Sequence, residues 1–573
     1  MPADRQVLEG FMELPVLKPI LLLALLVTAI ATDATPDFWD DTEDGILIEQ
    51  IVEAMTSEEL LSQVFFLGFY GTKPSPAILR WIREKQIGGV KIFTRNVGGL
   101  KPLAASIAEM QQAALDSGFH IPLFVATDQE GGWVRHVKYE TSETPGNLAL
   151  GAGGLLRDSF LTGYYIGREL GALGVNMNFS PTTDVYSNPE ATVIGPRAFS
   201  TDPIQTAMLS VAYYKGLDRA GIVATAKHFP GHGDASKDSH GHLPVIDVTF
   251  EEMWDRELVP YRFLIREGLP AIMSGHLAFP MILGDLTASS VSPYFQTTLL
   301  RKELKFQGIM ITDDMEMAGV LTGNKNLLSA CEKALSSGND MVLISHTPSL
   351  QEQTWDYLLE LMKRDSRFRN RIEESTRRIL RIKLKYLKGE DAIDLIPDVE
   401  HIDEEVPTEE AQEFFFESAC RSVTIIKSRD IPFRTTPNER LIVVSQFADF
   451  LEEAVLRWPQ AEVLKFDFNP FYNSQAEDRL RIPRAVREYD TIIFSIANFN
   501  SLDILQTLKD LDQRIIVISA LSPVYLKEAA WVETAIAVYG MSRDSFRAGL
   551  AALSGDFDPE GSLPVSFLDT PEQ

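Results

Sequence analysis

The sequence predicts an α/β protein in which a (β/α)8 barrel of the TIM type is followed by a smaller open α/β sandwich domain. Two stretches of the chain alternate short apolar runs with longer amphipathic runs, as parallel strands and their covering helices do. The first stretch holds eight apolar runs, and an acidic, Pro-containing segment separates it from the second. We therefore expect a barrel over residues 45–388, a linker over 389–410 and a C-terminal α/β domain over 411–573.

The eight apolar runs are bounded by Gly, Pro or polar residues, which is typical of strands buried on both faces. They are Gln63–Gly68, Gly89–Phe93, Pro122–Thr127, Val175–Phe179, Ile222–Lys227, Ala271–Gly275, Gly308–Thr312 and Met341–Ser345. Amphipathic runs between them, such as Leu103–Leu115 and Pro203–Leu217, predict the covering helices. A doubly wound sheet is the alternative, but eight strand–helix units are more typical of a closed barrel.

The barrel ends on a basic segment, Arg364–Lys388, which predicts an amphipathic helix. Its apolar face includes Ile372 and Ile379, and we expect its Arg and Lys side chains to face solvent. A nucleic-acid or membrane role for this helix is the weaker interpretation. After Gly389 the chain becomes acidic and contains prolines, which predicts an exposed linker.

The second stretch predicts an open sheet covered by helices. Its strand candidates are Ser422–Ile426, Leu441–Ser445, Thr491–Ser495, Arg514–Ser519 and Ala535–Tyr539. It contains neither a G-x-G-x-x-G sequence nor a P-loop, so no residue pattern supports nucleotide binding there.

Composition excludes several classes of protein. The 573 residues are 45% hydrophobic and 23% charged, which indicates a globular chain. With 53 Lys and Arg against 81 Asp and Glu, the net charge is −28, so nucleic acid is not an expected partner. Cys331 and Cys420 are the only cysteines, which excludes a disulfide framework and a zinc site built on several thiolates. We expect no cofactor, and a monomer or a homodimer.

Polar and ionisable residues follow the strand candidates at the end where a barrel carries its active site. They are Asp128 and Glu130, Thr182 to Asp184, Lys227 and His228, His276, and Asp313 and Asp314. Chance placement would scatter such groups over both ends of the barrel.

Four of the nine histidines lie between His228 and His242. The spacing of His228 and His232 is that of helical zinc motifs, but Pro230 and the neighbouring glycines disfavour a helix, so a metal site is the weaker interpretation. The favoured interpretation is acid/base chemistry at His240, whose ring Asp238 could hold and polarise. Alternatively, these side chains only hydrogen-bond the loop together.

The acidic pair Asp313 and Asp314 has two interpretations as well. One carboxylate is expected to cap the following helix, and the other could act as a nucleophile or stabilise positive charge. Asp128 and Glu130, beside two glycines, are either turn formers or ligands for sugar hydroxyls.

Taken together, these segments resemble glycoside hydrolase family 3 and, within it, the exo-β-N-acetylglucosaminidase branch. The resemblance spans about Glu49 to Lys388, and a shorter one at Asp558–Val565 is similar to the end of a family 3 second domain. The motifs that carry it are Asp128–Gly132, Asn178–Val185, Val193–Phe199, Lys227–Gly233, Asp238–His240, Met273–His276 and Leu300–Met317.

The resemblance implies a retaining glycosidase without a metal ion. Asp313 would attack the anomeric carbon, and His240, with Asp238 as its partner, would act as acid and then as base. By the same resemblance, Asp128, Arg197, Lys227 and His228 would bind hydroxyls of the terminal sugar.

One position departs from the family pattern. The family places an arginine eight residues after the first Asp of the D-Q-E-G-G motif, and here that residue is His136, preceded by Arg135 and an unusual Trp133. Either Arg135 reaches the sugar from a shifted loop, or that contact is lost.

The predicted function is hydrolysis of terminal N-acetylglucosamine from cell-wall muropeptides or related glycans. A phosphorylase is the rival, because a neutral imidazole does not repel an anionic acceptor as a second carboxylate would. A β-glucosidase of the same family and a non-catalytic glycan-binding protein are further alternatives.

The amino terminus predicts export. Ile20–Ala31 is an apolar run of 12 residues after Lys18, short for a membrane span and suited to a signal-peptide core that is cleaved after Ala31. An uncleaved membrane anchor within residues 1–31 is the alternative. The expected location is periplasmic or extracellular, with no integral membrane domain in the mature form. Sequencing the mature amino terminus checks this, and a cytosolic protein that still begins at Met1 would contradict it.

Overall fold

The structure is a computed structural model, and it describes residues 35–138, 140–235, 241–324, 326–468 and 476–568. The predicted leader, residues 1–31, lies outside the described residues, and so do Asp238 and His240.

Eight parallel strands close into a barrel, in the order β1-β10-β9-β8-β7-β6-β3-β2. They are β1 (Phe65–Gly68), β2 (Gly89–Ile92), β3 (Phe124–Thr127), β6 (Met177–Asn178), β7 (Val223–Phe229), β8 (Ala271–Ser274), β9 (Ile309–Asp314) and β10 (Met341–Ile344). A two-stranded hairpin, β4 (Gln129–Gly131) and β5 (Val134–Arg135), follows β3 at the carboxyl end of the barrel. Each barrel strand overlaps one predicted apolar run, so the predicted fold class is confirmed.

Close packing at the barrel wall explains a glycine in β2. A Cβ atom on Gly89 would lie 2.6 Å from the Phe66 ring, which belongs to the neighbouring strand. Phe66 in turn packs against Phe179, with 5.6 Å between ring centroids. Because side chains alternate along a strand, Gly89 and Lys91 share the inward face of β2.

Helices cover the barrel between its strands. They are α1 (Asp44–Ala54), α2 (Ser57–Gln63), α3 (Pro76–Arg83), α4 (Leu100–Leu115), α5 (Asn147–Gly153), α6 (Leu156–Ala172), α7 (Pro203–Arg219), α8 (Phe250–Asp255), α9 (Leu258–Arg266), α10 (Pro280–Leu283), α11 (Ala318–Leu321), α12 (Leu327–Ser337), α13 (Pro348–Arg364) and α14 (Ser366–Leu387). Short 3-10 turns lie at Thr94–Asn96, Gly195–Arg197 and Ser289–Val291, and a π-helix lies at Tyr294–Glu303. Within the described ranges, no helix is long and apolar enough to cross a membrane.

Two arginines of the basic helix α14 bind a buried carboxylate instead of facing solvent. Asp340, fully buried before β10, accepts bonds from Arg371 at 2.9 Å and from Arg378 at 3.0 Å. Arg301 contributes a third bond at 2.5 Å. Burial opposes ionisation of Asp340, but the three guanidinium groups outweigh it and lower its pKa to about 2. The expectation that this face is merely solvated was therefore wrong, because two of its arginines bind a buried carboxylate.

The second domain contains a six-stranded sheet in the order β11-β16-β15-β14-β12-β13. Its strands are β11 (Thr424–Ser428), β12 (Leu441–Ser445), β13 (Glu462–Lys465), β14 (Thr491–Ile496), β15 (Arg514–Ser519) and β16 (Thr534–Ala537). Its helices are α16 (Glu409–Ser422), α17 (Ala448–Arg457), α18 (Ala476–Ala485), α19 (Phe499–Gln506) and α20 (Arg543–Leu553), with 3-10 turns at Val486–Glu488 and Pro523–Lys527. Sequence analysis missed β13, because an exposed edge strand with charged ends lacks the apolar run used to find the others.

The two domains contact each other near the carboxyl end of the barrel. The backbone of Pro564, close to the chain end, accepts a bond from the Thr201 amide at 2.9 Å. Phe567 packs edge-on against Tyr186, with 5.3 Å between centroids. The segment between the domains, which includes α15 (Ile402–Glu405), buries Ile402 and Val406 against the barrel. The predicted linker is therefore not exposed throughout.

Lys383 of α14 is fully buried, and its Nζ donates to Gln63 Oε1 at 3.1 Å. Burial lowers its pKa from 10.5 to about 7. The folded-state pKa lies below the unfolded one, so folding releases a proton between pH 7 and 10.5 and stability rises with pH there. We expect Lys383→Met to raise Tm by a few degrees at pH 7, and this gain should shrink as pH approaches 10. Thermal melts from pH 6 to 10 measure it.

The exposed neighbour Lys385 supplies the control. Lys385→Met should leave Tm and its pH dependence close to those of the wild type. A Lys383→Met gain that does not change with pH would show that packing, and not the buried charge, is responsible.

Candidate active site

A cavity of about 560 Å³ opens at the carboxyl ends of the barrel strands. Five of the sequence-predicted residues line it together, namely Asp128, Arg197, Lys227, His228 and Asp313. Every described lining residue belongs to the barrel domain. The placement of functional groups at this end, expected from strand positions alone, agrees with the structure.

The floor of the cavity is a chain of buried ion pairs. Lys227 Nζ, on β7, lies 2.5 Å from Asp128 Oδ1 and 2.6 Å from Glu130 Oε1. Arg197 holds both oxygens of Glu130, at 2.8 and 2.9 Å. Burial opposes the ionisation of Asp128 and Glu130, yet the adjacent cations outweigh it and lower both carboxyl pKa values, that of Glu130 to about 2.

These pairs give the floor both kinds of hydrogen-bonding group that a hydroxyl needs. The ionised Asp128 only accepts bonds, while Lys227 and Arg197 only donate them. A polyol that enters the cavity therefore finds acceptors and donors already in place, which supports the interpretation of Asp128 as a sugar ligand.

His228 is oriented by a carboxylate behind it. Its Nδ1 lies 2.8 Å from Asp184 Oδ2, and Asp184 Oδ1 accepts the backbone amides of His228 and His232. With Nδ1–H donated to Asp184, His228 Nε2 faces Arg197 Nη2 at 3.3 Å as an acceptor. His232 also lines the cavity, and burial lowers its pKa to about 4, so it is neutral at ordinary pH.

The two neighbouring aspartates at the end of β9 have different surroundings. Asp313 lines the cavity, and its Oδ1 accepts the Asp314 amide at 2.8 Å. Asp314 points elsewhere, because its Oδ1 accepts the Glu316 amide at 3.0 Å and its Oδ2 lies 3.2 Å from His346 Nε2. Asp314 therefore caps a turn and not the helix start that was expected.

Asp313 is ionised despite its surroundings. Burial would raise its pKa, but electrostatic interactions with His228, His276 and Lys91 and the hydrogen bond from the Asp314 amide outweigh burial and lower it to about 2. His276 also steadies this strand end, because its Nε2 lies 3.1 Å from the Asp314 carbonyl while its Nδ1 contacts Ser290 Oγ at 2.7 Å. Asp313 can thus present a carboxylate oxygen to an electrophilic carbon.

The structure separates Arg135 and His136. The Arg135 guanidinium pairs with Glu143 behind the hairpin, where it lines a small enclosed space apart from the cavity. His136 does line the cavity, with its Nε2 3.4 Å from Asp128 Oδ2. Arg135 is therefore not brought together with the other predicted sugar ligands.

Lys91 is a cavity residue that sequence analysis missed. It lies within β2, and its Nζ contacts Asp128 Oδ2 at 2.6 Å. The candidate residues predicted from the sequence follow strands, whereas Lys91 lies inside one. A single lysine within an otherwise apolar strand was the available signal. Phe93, Trp133 and Met273 also line the cavity and were not predicted.

The predicted pair, Asp238 and His240, lies outside the described residues. The segment after β7 is described up to Ala235, where Arg256 holds Asp234 at 2.5 Å. Among the described residues, no three His, Cys, Asp or Glu side chains are grouped so that they could hold a metal ion.

Curated proteins to which this chain is similar carry the name beta-hexosaminidase. Beta-hexosaminidase A from Pseudoalteromonas piscicida is 31% identical over 370 residues, which cover 58% of this chain and 61% of that protein. A beta-hexosaminidase from Nitrosospira multiformis is 34% identical over 304 residues, which cover 51% of this chain and 84% of that protein. This chain thus covers about three fifths of the first relative's length.

Solved structures share both domains. A glycoside hydrolase family 3 beta-N-acetylglucosaminidase from Paenibacillus sp. FPU-7 is 27% identical with a TM-score of 0.82, covering 90% of this chain and 99% of that one. A beta-glucoside phosphorylase shares the fold, with a TM-score of 0.76 and 22% sequence identity. The match covers 92% of this chain and 97% of the phosphorylase chain. Residues 52–382, more than half of the chain, match the model of the glycosyl hydrolase family 3 N-terminal domain. The chain therefore belongs to glycosyl hydrolase family 3.

Proposed function

We propose that this protein is a retaining, exo-acting β-N-acetylglucosaminidase that removes terminal N-acetylglucosamine from muropeptides or related glycans. The observation that carries the proposal is an ionised Asp313 facing the same cavity as the charge-paired floor of Asp128, Lys227 and Arg197. The beta-hexosaminidase names of the curated relatives support the choice of sugar.

The proposed reaction has two steps. Asp313 Oδ1 is bonded to the Asp314 amide, so Oδ2 is the oxygen left to attack the anomeric carbon. As that bond forms, the glycosidic bond breaks, and the leaving oxygen takes a proton from His240. His240, now neutral, then removes a proton from water, whose oxygen displaces Asp313 and releases the sugar with its configuration retained.

The buried ion pairs at the floor of the cavity support the proposed exo action. A terminal sugar can place its hydroxyls against the Asp128, Lys227 and Arg197 groups at the floor, where buried ion pairs close the cavity. A sugar inside a chain would carry a substituent that has to pass through this floor. The proposal includes the export predicted from Ile20–Ala31, which would bring the enzyme to cell-wall substrates.

Initial rates on aryl β-N-acetylglucosaminide and aryl β-glucoside test this function. We expect a clear preference for the N-acetylglucosaminide and equal rates with and without phosphate. Preference for the glucoside would overturn the substrate assignment. Release of sugar 1-phosphate, with a rate that depends on phosphate, would instead establish the rival phosphorylase. Product analysis on purified peptidoglycan fragments tests the muropeptide assignment.

The nucleophile can be tested by comparing the two neighbouring aspartates. Asp313→Asn keeps the shape but removes the attacking charge, so kcat should fall by at least about a thousandfold. Asp314→Asn, the matched control, keeps an acceptor for the Glu316 amide and should retain most of the activity. A nearly active Asp313→Asn protein would remove the mechanism.

Lys91 should contribute to binding of the terminal sugar. Lys91→Met removes the cation beside Asp128 Oδ2, and we expect kcat/KM to fall about tenfold to a hundredfold with a matching rise in the inhibition constant of free N-acetylglucosamine. Loss of the charge also raises the pKa of Asp313, so the acidic limb of the kcat/KM profile should move to higher pH.

A double variant sharpens the Lys91 test. His136 faces the same Asp128 oxygen, so adding His136→Arg to Lys91→Met should restore part of the lost affinity. Lys85→Met, which removes a lysine paired with Glu352 outside the cavity, is the control. Equal activity of Lys91→Met and wild type would contradict the assignment.

A further inference from the structure

The rim of the cavity differs in character from its floor. Trp133, Val134 and Val193 line the cavity and are partly exposed, whereas the floor residues Asp128 and Lys227 are buried ion-pair partners. When the terminal sugar of a substrate occupies the polar floor, the rest of the substrate must pass this apolar rim to reach solvent.

Trp133 lies at the tip of the β4–β5 hairpin. The turn contains Gly131 at φ 92° and Gly132 at φ 56°, conformations that favour glycine. A Cβ atom on Gly132 would lie 2.8 Å from Gly146 Cα, so this approach needs glycine at position 132. The Gly132 amide donates to Thr144 Oγ1 at 2.8 Å, which ties the tip to the body of the barrel.

The second domain supports the same side chain. Trp133 packs against the apolar cluster built around Phe447, Phe450 and Phe546 of that domain, while it also lines the cavity. Within the described part of the chain, its indole has neither a hydrogen-bond partner nor an aromatic ring against it. An aromatic side chain that contacts the second domain and also lines the cavity is suited to binding a ligand.

We propose that Trp133 forms the leaving-group subsite, where it stacks against the pyranose ring of the second sugar of the substrate. This inference rests on the proposed function and extends it, because it assigns a residue of this chain to the binding of the leaving-group sugar. The carbon-bound hydrogens of one pyranose face form an apolar surface that matches an indole ring, and the indole N–H can donate to a ring hydroxyl. The second domain thus contributes to binding by supporting Trp133.

The test compares two substrates that differ only in their leaving group. N,N′-diacetylchitobiose places a second pyranose at the rim, whereas methyl β-N-acetylglucosaminide has a methyl group that is too small to reach it. Trp133→Ala should lower kcat/KM for the disaccharide about fivefold to tenfold and change that for the methyl glycoside less than twofold. Trp133→Phe, which keeps a ring, should retain most of the activity on the disaccharide.

Binding without turnover gives a second readout. In an Asp313→Asn background, titration calorimetry should show weaker binding of the disaccharide after Trp133→Ala, by a similar factor, and unchanged binding of free N-acetylglucosamine. Trp39→Ala, which removes another partly exposed tryptophan beside His120, is the matched control and should change neither affinity.

The outcomes separate the two proposals. Equal losses on both substrates, or no loss on the disaccharide, would overturn the Trp133 subsite while the wild-type activity stands. Failure of the wild type to hydrolyse either substrate or an aryl N-acetylglucosaminide would overturn the proposed function itself. Thermal melts of each variant distinguish a local loss of binding from unfolding.

Discussion

The site depends on charge balance among buried side chains. Asp128, Glu130 and Asp313 face Lys91, Lys227 and Arg197, three acids against three bases, around one cavity. Burial raises the pKa of each of these acids, and the neighbouring cations, histidines and hydrogen-bond donors outweigh it and lower the pKa. Loss of Asp128 would leave the buried Lys91 without its ion-pair partner, and breaking a buried pair in this way costs about 3–5 kcal/mol. The floor is therefore a single unit, and its parts come from several strands of the closed barrel.

The barrel closure brings these groups together, and the second domain supports the loops that complete the site. Ile194 and Ala198, which flank the turn that carries Arg197, belong to an apolar cluster shared with the sheet of the second domain. Trp133 contacts another cluster of that domain. Because two loops of the site depend on these contacts, we regard the second domain as part of the binding architecture even though it lines no described part of the cavity.

The parts of the fold that repeat along the chain could be predicted from the sequence. Eight apolar runs at strand length predicted the barrel, and the ionisable residues that follow them identified its functional end. Prediction failed where the signal is not periodic. β13 is a short exposed edge strand, Lys91 lies within a strand, and the arginines of α14 bind a carboxylate distant in sequence at Asp340. The predicted acid/base residues Asp238 and His240 remain predictions, because they lie outside the described residues.

Local sequence patterns were enough to predict the fold class, the order of the strands along the chain and the motifs that this protein shares with its family. These properties depend on local periodicity and on residue types at fixed spacing. The folded structure was needed to learn which of two adjacent aspartates faces the cavity, where the Arg135 guanidinium points, and which lysines share Asp128. Such choices depend on contacts between residues far apart in the chain, such as Lys91 and Asp128 or Lys227 and Glu130. Barrel closure creates these contacts, and no local pattern encodes them.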